Sequence, residues 1–148
     1  MEKPKLEIQY LGGGEIWQTR RIETLERIVS PKGLSIWKTY RLGRNSRCEI
    51  CIPWIGSLLS NFQATFVRDA QSTDHWVIDG LPLKPSTNGI RVNGQKIKSR
   101  AALTHGSVIG LAYGLRAIYL NKLVLMDDNL SEITLTNANE PTDSDSQA

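Results

Sequence analysis

The stretch Gly89-Ile90-Arg91-Val92-Asn93-Gly94-Gln95-Lys96-Ile97-Lys98 reads as a β-hairpin, two short runs joined by an Asn-Gly pair. Both turn residues tolerate positive φ, which matches the turn to the right-handed twist of the strands it joins. Outward from this hairpin the same pattern continues. Upstream, Leu34-Ser-Ile-Trp-Lys-Thr-Tyr-Arg-Leu42 and Phe62-Gln-Ala-Thr-Phe-Val-Arg68 alternate at period two, and His75-Trp-Val-Ile-Asp79 is a compact apolar strand. Downstream, Ser107-Val-Ile-Gly-Leu111 and Ala117 to Leu125 complete the set, while Pro31-Lys-Gly33 and Asp79-Gly80 supply breaks. Helix signals are few. Short strands punctuated by turn residues predict an all-β fold, an antiparallel sandwich.

The ends read differently. Leu6-Glu-Ile-Gln-Tyr-Leu11 is a strand pattern and Gly12-Gly-Gly14 a flexible break; Glu15 to Val29 fits either a strand with an irregular insertion or a short amphipathic helix. Residues 1–33 therefore belong to the sandwich or flank it. Beyond Asn129 the chain is poor in aromatics and rich in Asp, Ser, Thr and Asn, too little apolar surface to offset the entropy of ordering it. Residues 127–148 are expected to be an acidic tail, disordered from about Thr136.

A chain of 148 residues suits one folded domain with its own core. It has no apolar run near the ~20 residues a membrane span requires, and no apolar signal core follows Met1. A soluble, cytoplasmic protein is expected. All 18 Lys and Arg precede Asp127, whereas six of the 15 acids follow Met126, so a basic body carries an acidic tail. A basic body favours anionic partners through steering that salt screens. Cys48 and Cys51 form a Cys-x-x-Cys without two further ligands at zinc spacing, and they sit in a strand pattern rather than at a helix start. A structural role is expected, with Cys48 on the face of Ile50 and Ile52 and Cys51 pointing the other way. His75 and His105 are isolated, and no carboxylate pair recurs at a spacing that suggests catalysis. No enzyme, metal or cofactor is implied. Lys96-Ile-Lys98-Ser-Arg100 is a single short basic cluster without the aromatic-basic signature of a nucleic-acid module.

Three polar segments remain: Gly43-Arg44, Ser60-Asn61-Phe62-Gln63-Ala64 and Ser86-Thr87-Asn88-Gly89. They occur in this order, separated by apolar strands, and are followed by Val92-Asn93-Gly94, Leu103-x-x-Gly106 and Gly110-Leu111. From about Leu34 to Leu125 the pattern resembles a forkhead-associated (FHA) domain of the single-domain bacterial type, with residues 34–126 as its core. The resemblance implies binding loops at one end of the sandwich and a phosphothreonine-dependent interaction module that acts as an adaptor or signalling protein on Ser/Thr-kinase substrates. An FHA fold kept as an assembly subunit without phosphate binding, or a non-specific nucleic-acid binder, is the alternative.

A phosphothreonine dianion offers three acceptor oxygens, so its reader needs a fixed guanidinium with hydroxyl and amide donors on rigid turns. By the resemblance, Arg44 pairs with phosphate oxygens and Gly43 lets the backbone turn there. Ser60 donates its hydroxyl, Asn61 an amide, and Thr87 donates or holds its loop, with Ser86 and Gly89 in support. Asn88 bonds the peptide main chain beside the phosphorylated residue. Leu58 is placed to read the third residue after the phosphothreonine. Two positions depart from the family pattern: Gln63 stands for a histidine that braces the loops and is expected to keep part of that bracing, and Ile90 replaces a hydroxyl residue and is expected to extend a strand. In the tail, Thr134, Thr136 and Thr142, the last followed by Asp145, are candidate phosphorylation sites through which the protein becomes its own ligand.

Overall fold

The computed structural model describes residues 3–13, 15–53 and 58–122. Its strands are β1 (Lys5–Leu11), β2 (Trp17–Thr24), β3 (Arg27–Val29), β4 (Ser35–Trp37), β5 (Tyr40–Gly43), β6 (Ile50–Cys51), β7 (Ala64–Val67), β8 (Trp76–Asp79), β9 (Arg91–Val92), β10 (Gln95–Lys96), β11 (Arg100–Ala102), β12 (Val108–Ala112) and β13 (Leu115–Leu120). The expected hairpin forms as β9–β10, with Asn93 and Gly94 at φ of 51° and 85°. A second tight hairpin joins β12 to β13 through Tyr113 and Gly114, the latter at φ 73°.

One sheet has the order β10-β9-β12-β13-β1-β2, the other β11-β8-β7-β5-β6. Alternation drives the pairing of their faces. Leu115, Ala117 and Tyr119 of β13 are buried at every second position, and with Leu6 and Ile8 of β1 they join Leu42, Ala64, Phe66 and Val77 of the second sheet in one hydrophobic cluster. Burying a Leu, Ile, Val or Phe side chain contributes roughly 1.5–3 kcal/mol relative to exposure. The architecture is the expected sandwich, antiparallel except where β5 and β6 pair in parallel, Leu42 with Ile50 and Gly43 with Cys51. The unit so formed spans Pro4–Leu120; Met1–Lys3 with Asn121–Ala148 divides from it, and of that second unit Lys3, Asn121 and Lys122 are described.

The segment Leu34 to Leu42 departs from its expectation of a single strand. It splits into β4 and β5, and β4 pairs with β3 in a separate two-stranded ribbon. The break has a physical cause: the Lys38 N–H donates to the Glu26 carbonyl at 2.9 Å, while the buried Tyr40 hydroxyl donates to the Thr24 carbonyl and accepts from the Glu26 N–H. Period two continues across a junction that changes partner. Glu15 to Val29, left open between strand and helix, is built of β2 and β3. Ile90 does not extend β9; it is fully buried in the core, which explains an apolar residue there.

His75, at the start of the β8 region, is buried between aromatic rings, with centroids 5.3 Å from Trp37 and 5.6 Å from Tyr119. Burial, with the nearby Arg68 charge, pushes its pKa down to about 4, so it is neutral at neutral pH and packs as a core residue. Residues 123–148, including Thr134, Thr136 and Thr142, lie outside the described residues.

Candidate functional site

The loop after β5 and the loop before β7 are joined backbone to backbone. The Arg44 N–H donates to the Ser60 carbonyl at 3.1 Å, and the Asn45 N–H to the Asn61 carbonyl at 3.2 Å. Gly43 makes this approach possible. A Cβ built there would lie 2.1 Å from the Asn61 carbonyl oxygen, so glycine is required by proximity and not, as the resemblance implied, to let its own backbone turn. Asn45, not singled out in the sequence, turns the loop by accepting the Arg47 N–H on its side-chain oxygen at 2.8 Å.

Arg44 is half-buried, and its Nε donates to the Leu59 carbonyl at 2.7 Å. Among the described residues, its terminal guanidinium nitrogens have no hydrogen-bond partner. One nitrogen thus anchors the fork and two remain to meet a ligand. Ser60 Oγ accepts the Thr87 N–H at 3.0 Å, which leaves the Ser60 hydroxyl hydrogen to donate elsewhere. Arg44, Ser60, Asn61 and Thr87 line one cavity of about 170 Å³, with Leu81, Lys84 and Pro85 on its wall.

Asn88 does not line that cavity. It lies beside it, on a groove of about 430 Å³ shared with Leu58, Gly89, Lys96 and Tyr113. Leu58 and Tyr113 are exposed apolar surface there, at 52% and 85%. Two adjoining compartments thus flank the Thr87–Asn88 peptide, a small polar one with Arg44 and Lys84 on its wall and a larger, more apolar one with Arg91 and Lys96 on its wall.

Gln63 ties the loops together. Its buried Oε1 accepts the Ser60 N–H at 2.9 Å, and its Nε2 donates to the carbonyls of Gly89 at 3.0 Å and Leu111 at 2.8 Å. Ser86 is held from below by the buried Asp79 carboxylate, which accepts from the Ser86 hydroxyl at 2.5 Å and the Ser86 N–H at 3.3 Å; Ser86 Oγ in turn accepts the Gly89 N–H at 2.9 Å. Asp79 carries no motif signal in the sequence beyond marking the end of β8.

The cysteines underlie the same loops. Cys48 is buried with Ile50 and Ile52, and its Sγ donates to the Asn61 carbonyl at 3.3 Å; the half-buried Cys51 places Sγ 3.6 Å from the Arg44 carbonyl. Both are free thiols. Burial raises the Cys48 pKa to about 11, keeping it a protonated donor. No group of three or more His, Cys, Asp or Glu among the described residues is placed to hold a metal, and no described helix is long and apolar enough to cross a membrane.

Residues 40–112 match the family model of the FHA domain. Among solved structures, the Slr1951 protein from Synechocystis superposes with a TM-score of 0.60 at 22% identity, covering 80% of this chain and 98% of its own. The FHA domain of the CT664 protein from Chlamydia trachomatis does so with a TM-score of 0.58 at 19% identity, covering 81% and 98%. The yeast Dun1 FHA domain, solved with a doubly phosphorylated peptide derived from Rad53, gives a TM-score of 0.51 at 14% identity, covering 96% and 91%. At such identities the likeness is one of fold. No curated protein matches at a significant level.

Proposed function

We propose, from the premise that residues 40–112 are an FHA domain, that this protein is a phosphothreonine-dependent interaction module. It acts by binding rather than catalysis, as a cytoplasmic adaptor for proteins phosphorylated by Ser/Thr kinases. The observation that carries this reading is the state of Arg44: a guanidinium pinned through Nε, its terminal nitrogens open, in a small cavity with the free donor of Ser60. A planar fork held in advance suits the paired oxygens of a phosphate, and less side-chain entropy is lost when it binds. The Dun1 FHA domain, of the same fold, was solved with a phosphothreonine peptide, which supports the same ligand class here.

In this reading Arg44, Ser60 and Asn61 contact the phosphate and Thr87 completes the cavity. Asn88 bonds the ligand main chain where it leaves the cavity, and the third residue after the phosphothreonine enters the groove beside Leu58. An apolar residue at that ligand position fits the groove. The protein's own tail, at Thr134, Thr136 or Thr142, is a further source of ligand. Three or four charge-assisted bonds, offset by ordering of an extended peptide, give a dissociation constant of about 1 μM.

Titration with a degenerate library in phosphothreonine, phosphoserine and unphosphorylated forms tests the reading, with Arg44→Ala as control. Expected is threonine-selective, phosphate-dependent binding that Arg44→Ala removes while the fold persists. Unchanged binding by a folded Arg44→Ala protein would reject the site.

A further inference from the structure

Lys84 lies outside every motif recognised in the sequence, yet it stands on the wall of the cavity that holds Arg44. It is carried by a turn whose backbone is strongly constrained. Leu81 and Lys84 exchange both backbone hydrogen bonds, at 2.9 and 3.0 Å, around Pro82-Leu83. Gly80, at φ 69°, lets the turn fold back on itself: a Cβ there would lie 2.4 Å from the Lys84 carbonyl oxygen and 2.6 Å from the Ser86 nitrogen. Two residues on, the buried Asp79 carboxylate clamps Ser86. The Cα of Lys84 is thus fixed beside the cavity while its flexible stem is free to place the ammonium.

Charge matching gives this placement a consequence. The cavity lining includes two cations, Arg44 and Lys84, and no carboxylate. A phosphothreonine carries about −1.5 to −2 charges near pH 7. Arg44 alone leaves about half to one charge without a partner, and a second cation on the same cavity removes that deficit. We propose that Lys84 is a second phosphate-binding residue and that the pair Arg44 and Lys84 makes the site selective for a dianionic phosphothreonine over a monoanionic carboxylate. The proposal rests on the phosphothreonine reading above and adds to it a residue and a selectivity.

The test uses the full chain and one phosphothreonine peptide taken from the library, with its glutamate-substituted counterpart. Calorimetry on wild type, Lys84→Gln, Lys84→Arg and Arg44→Ala is combined with ³¹P NMR of the bound peptide. Loss of one charge-assisted contact predicts that Lys84→Gln binds the phosphopeptide about tenfold more weakly and Lys84→Arg within about threefold of wild type. The preference for phosphothreonine over glutamate narrows in Lys84→Gln, and the bound phosphate protonates at higher pH than in wild type. Phosphopeptide affinity unchanged in Lys84→Gln but lost in Arg44→Ala would overturn the role of Lys84 and leave the function standing. Weakening that Lys84→Arg does not rescue, with an unmoved ³¹P titration, would also overturn it by showing that the turn alone matters. Phosphate-independent behaviour of the folded wild type would overturn both readings.

Discussion

The Gln63 side chain accepts the Ser60 N–H at 2.9 Å and so fixes the loop that presents the Ser60 hydroxyl. The same amide donates to Gly89 and Leu111, so one buried group links three segments distant in sequence. Replacing it by alanine removes the partner of the buried Leu111 carbonyl, a loss of about 1–3 kcal/mol, and of the part-buried Ser60 N–H and Gly89 carbonyl, which water partly compensates. Gln63→Ala is therefore expected to lower stability by about 3 kcal/mol, read as a fall in Tm of more than ~10 °C by calorimetry. Phosphopeptide affinity is expected to fall even at temperatures where the variant is fully folded.

Gly43→Ala places a methyl group against the Asn61 carbonyl, a backbone atom that no side-chain rotation can move. The two loops must separate. Overpacking of this kind costs typically 1–3 kcal/mol, and here the displaced atoms carry the site. About tenfold weaker phosphopeptide binding is expected by titration. Gly13→Ala, where a Cβ meets nothing within 4 Å, is expected to change neither stability nor binding.

Acid stability is expected to fall in two windows. His75 is buried, and its pKa drops from 6.5 to about 4, so between these values the unfolded chain takes up a proton that the folded chain refuses. Stability is full above pH ~6.5 and declines toward pH ~4, by roughly 3 kcal/mol from this residue. Glu49 acts later. Burial pushes its carboxyl up, but hydrogen bonds from the Arg41 side chain and N–H outweigh this and hold it at about 2, against an ordinary 4.5. Its contribution is present above pH ~4.5 and lost as pH falls toward 2; partial exposure limits it to about 1–2 kcal/mol. Denaturant titrations across pH are expected to show the upper window vanish in His75→Gln and the lower in Glu49→Gln.

Thiol reactivity separates the two cysteines. Cys48 is buried and held protonated, whereas Cys51 is half-buried. Iodoacetamide at pH 7.5 is expected to label Cys51 well before Cys48 by peptide mass mapping. Labelling of Cys51, whose Sγ lies 3.6 Å from the Arg44 carbonyl, is expected to weaken phosphopeptide binding.

Local features were legible because their causes are local. Asn93-Gly94 announces a hairpin since φ preference belongs to the residues themselves. The strands of β7, β8 and β12 were visible from their composition and period, β13 was found but runs Leu115–Leu120 where Ala117 to Leu125 is expected, and the face assignment of Cys48 with Ile50 and Ile52 followed from alternation alone. Where alternation crosses a change of partner it misleads, as between β4 and β5, because period two reports which side is buried and not which strand is alongside.

The sequence by itself determined an antiparallel sandwich, since turn chemistry and periodicity are properties of short segments, and the order of its polar motifs carried the resemblance that named Arg44, Ser60, Asn61 and Thr87 as candidates. Only the tertiary structure decided that Gly43 serves a close approach rather than a turn, that Asn88 faces a different compartment from Thr87, that Gln63 joins three segments distant in sequence and that Lys84 stands on the same cavity as Arg44. Each of these depends on segments far apart in the chain being brought together, and no local preference encodes that juxtaposition.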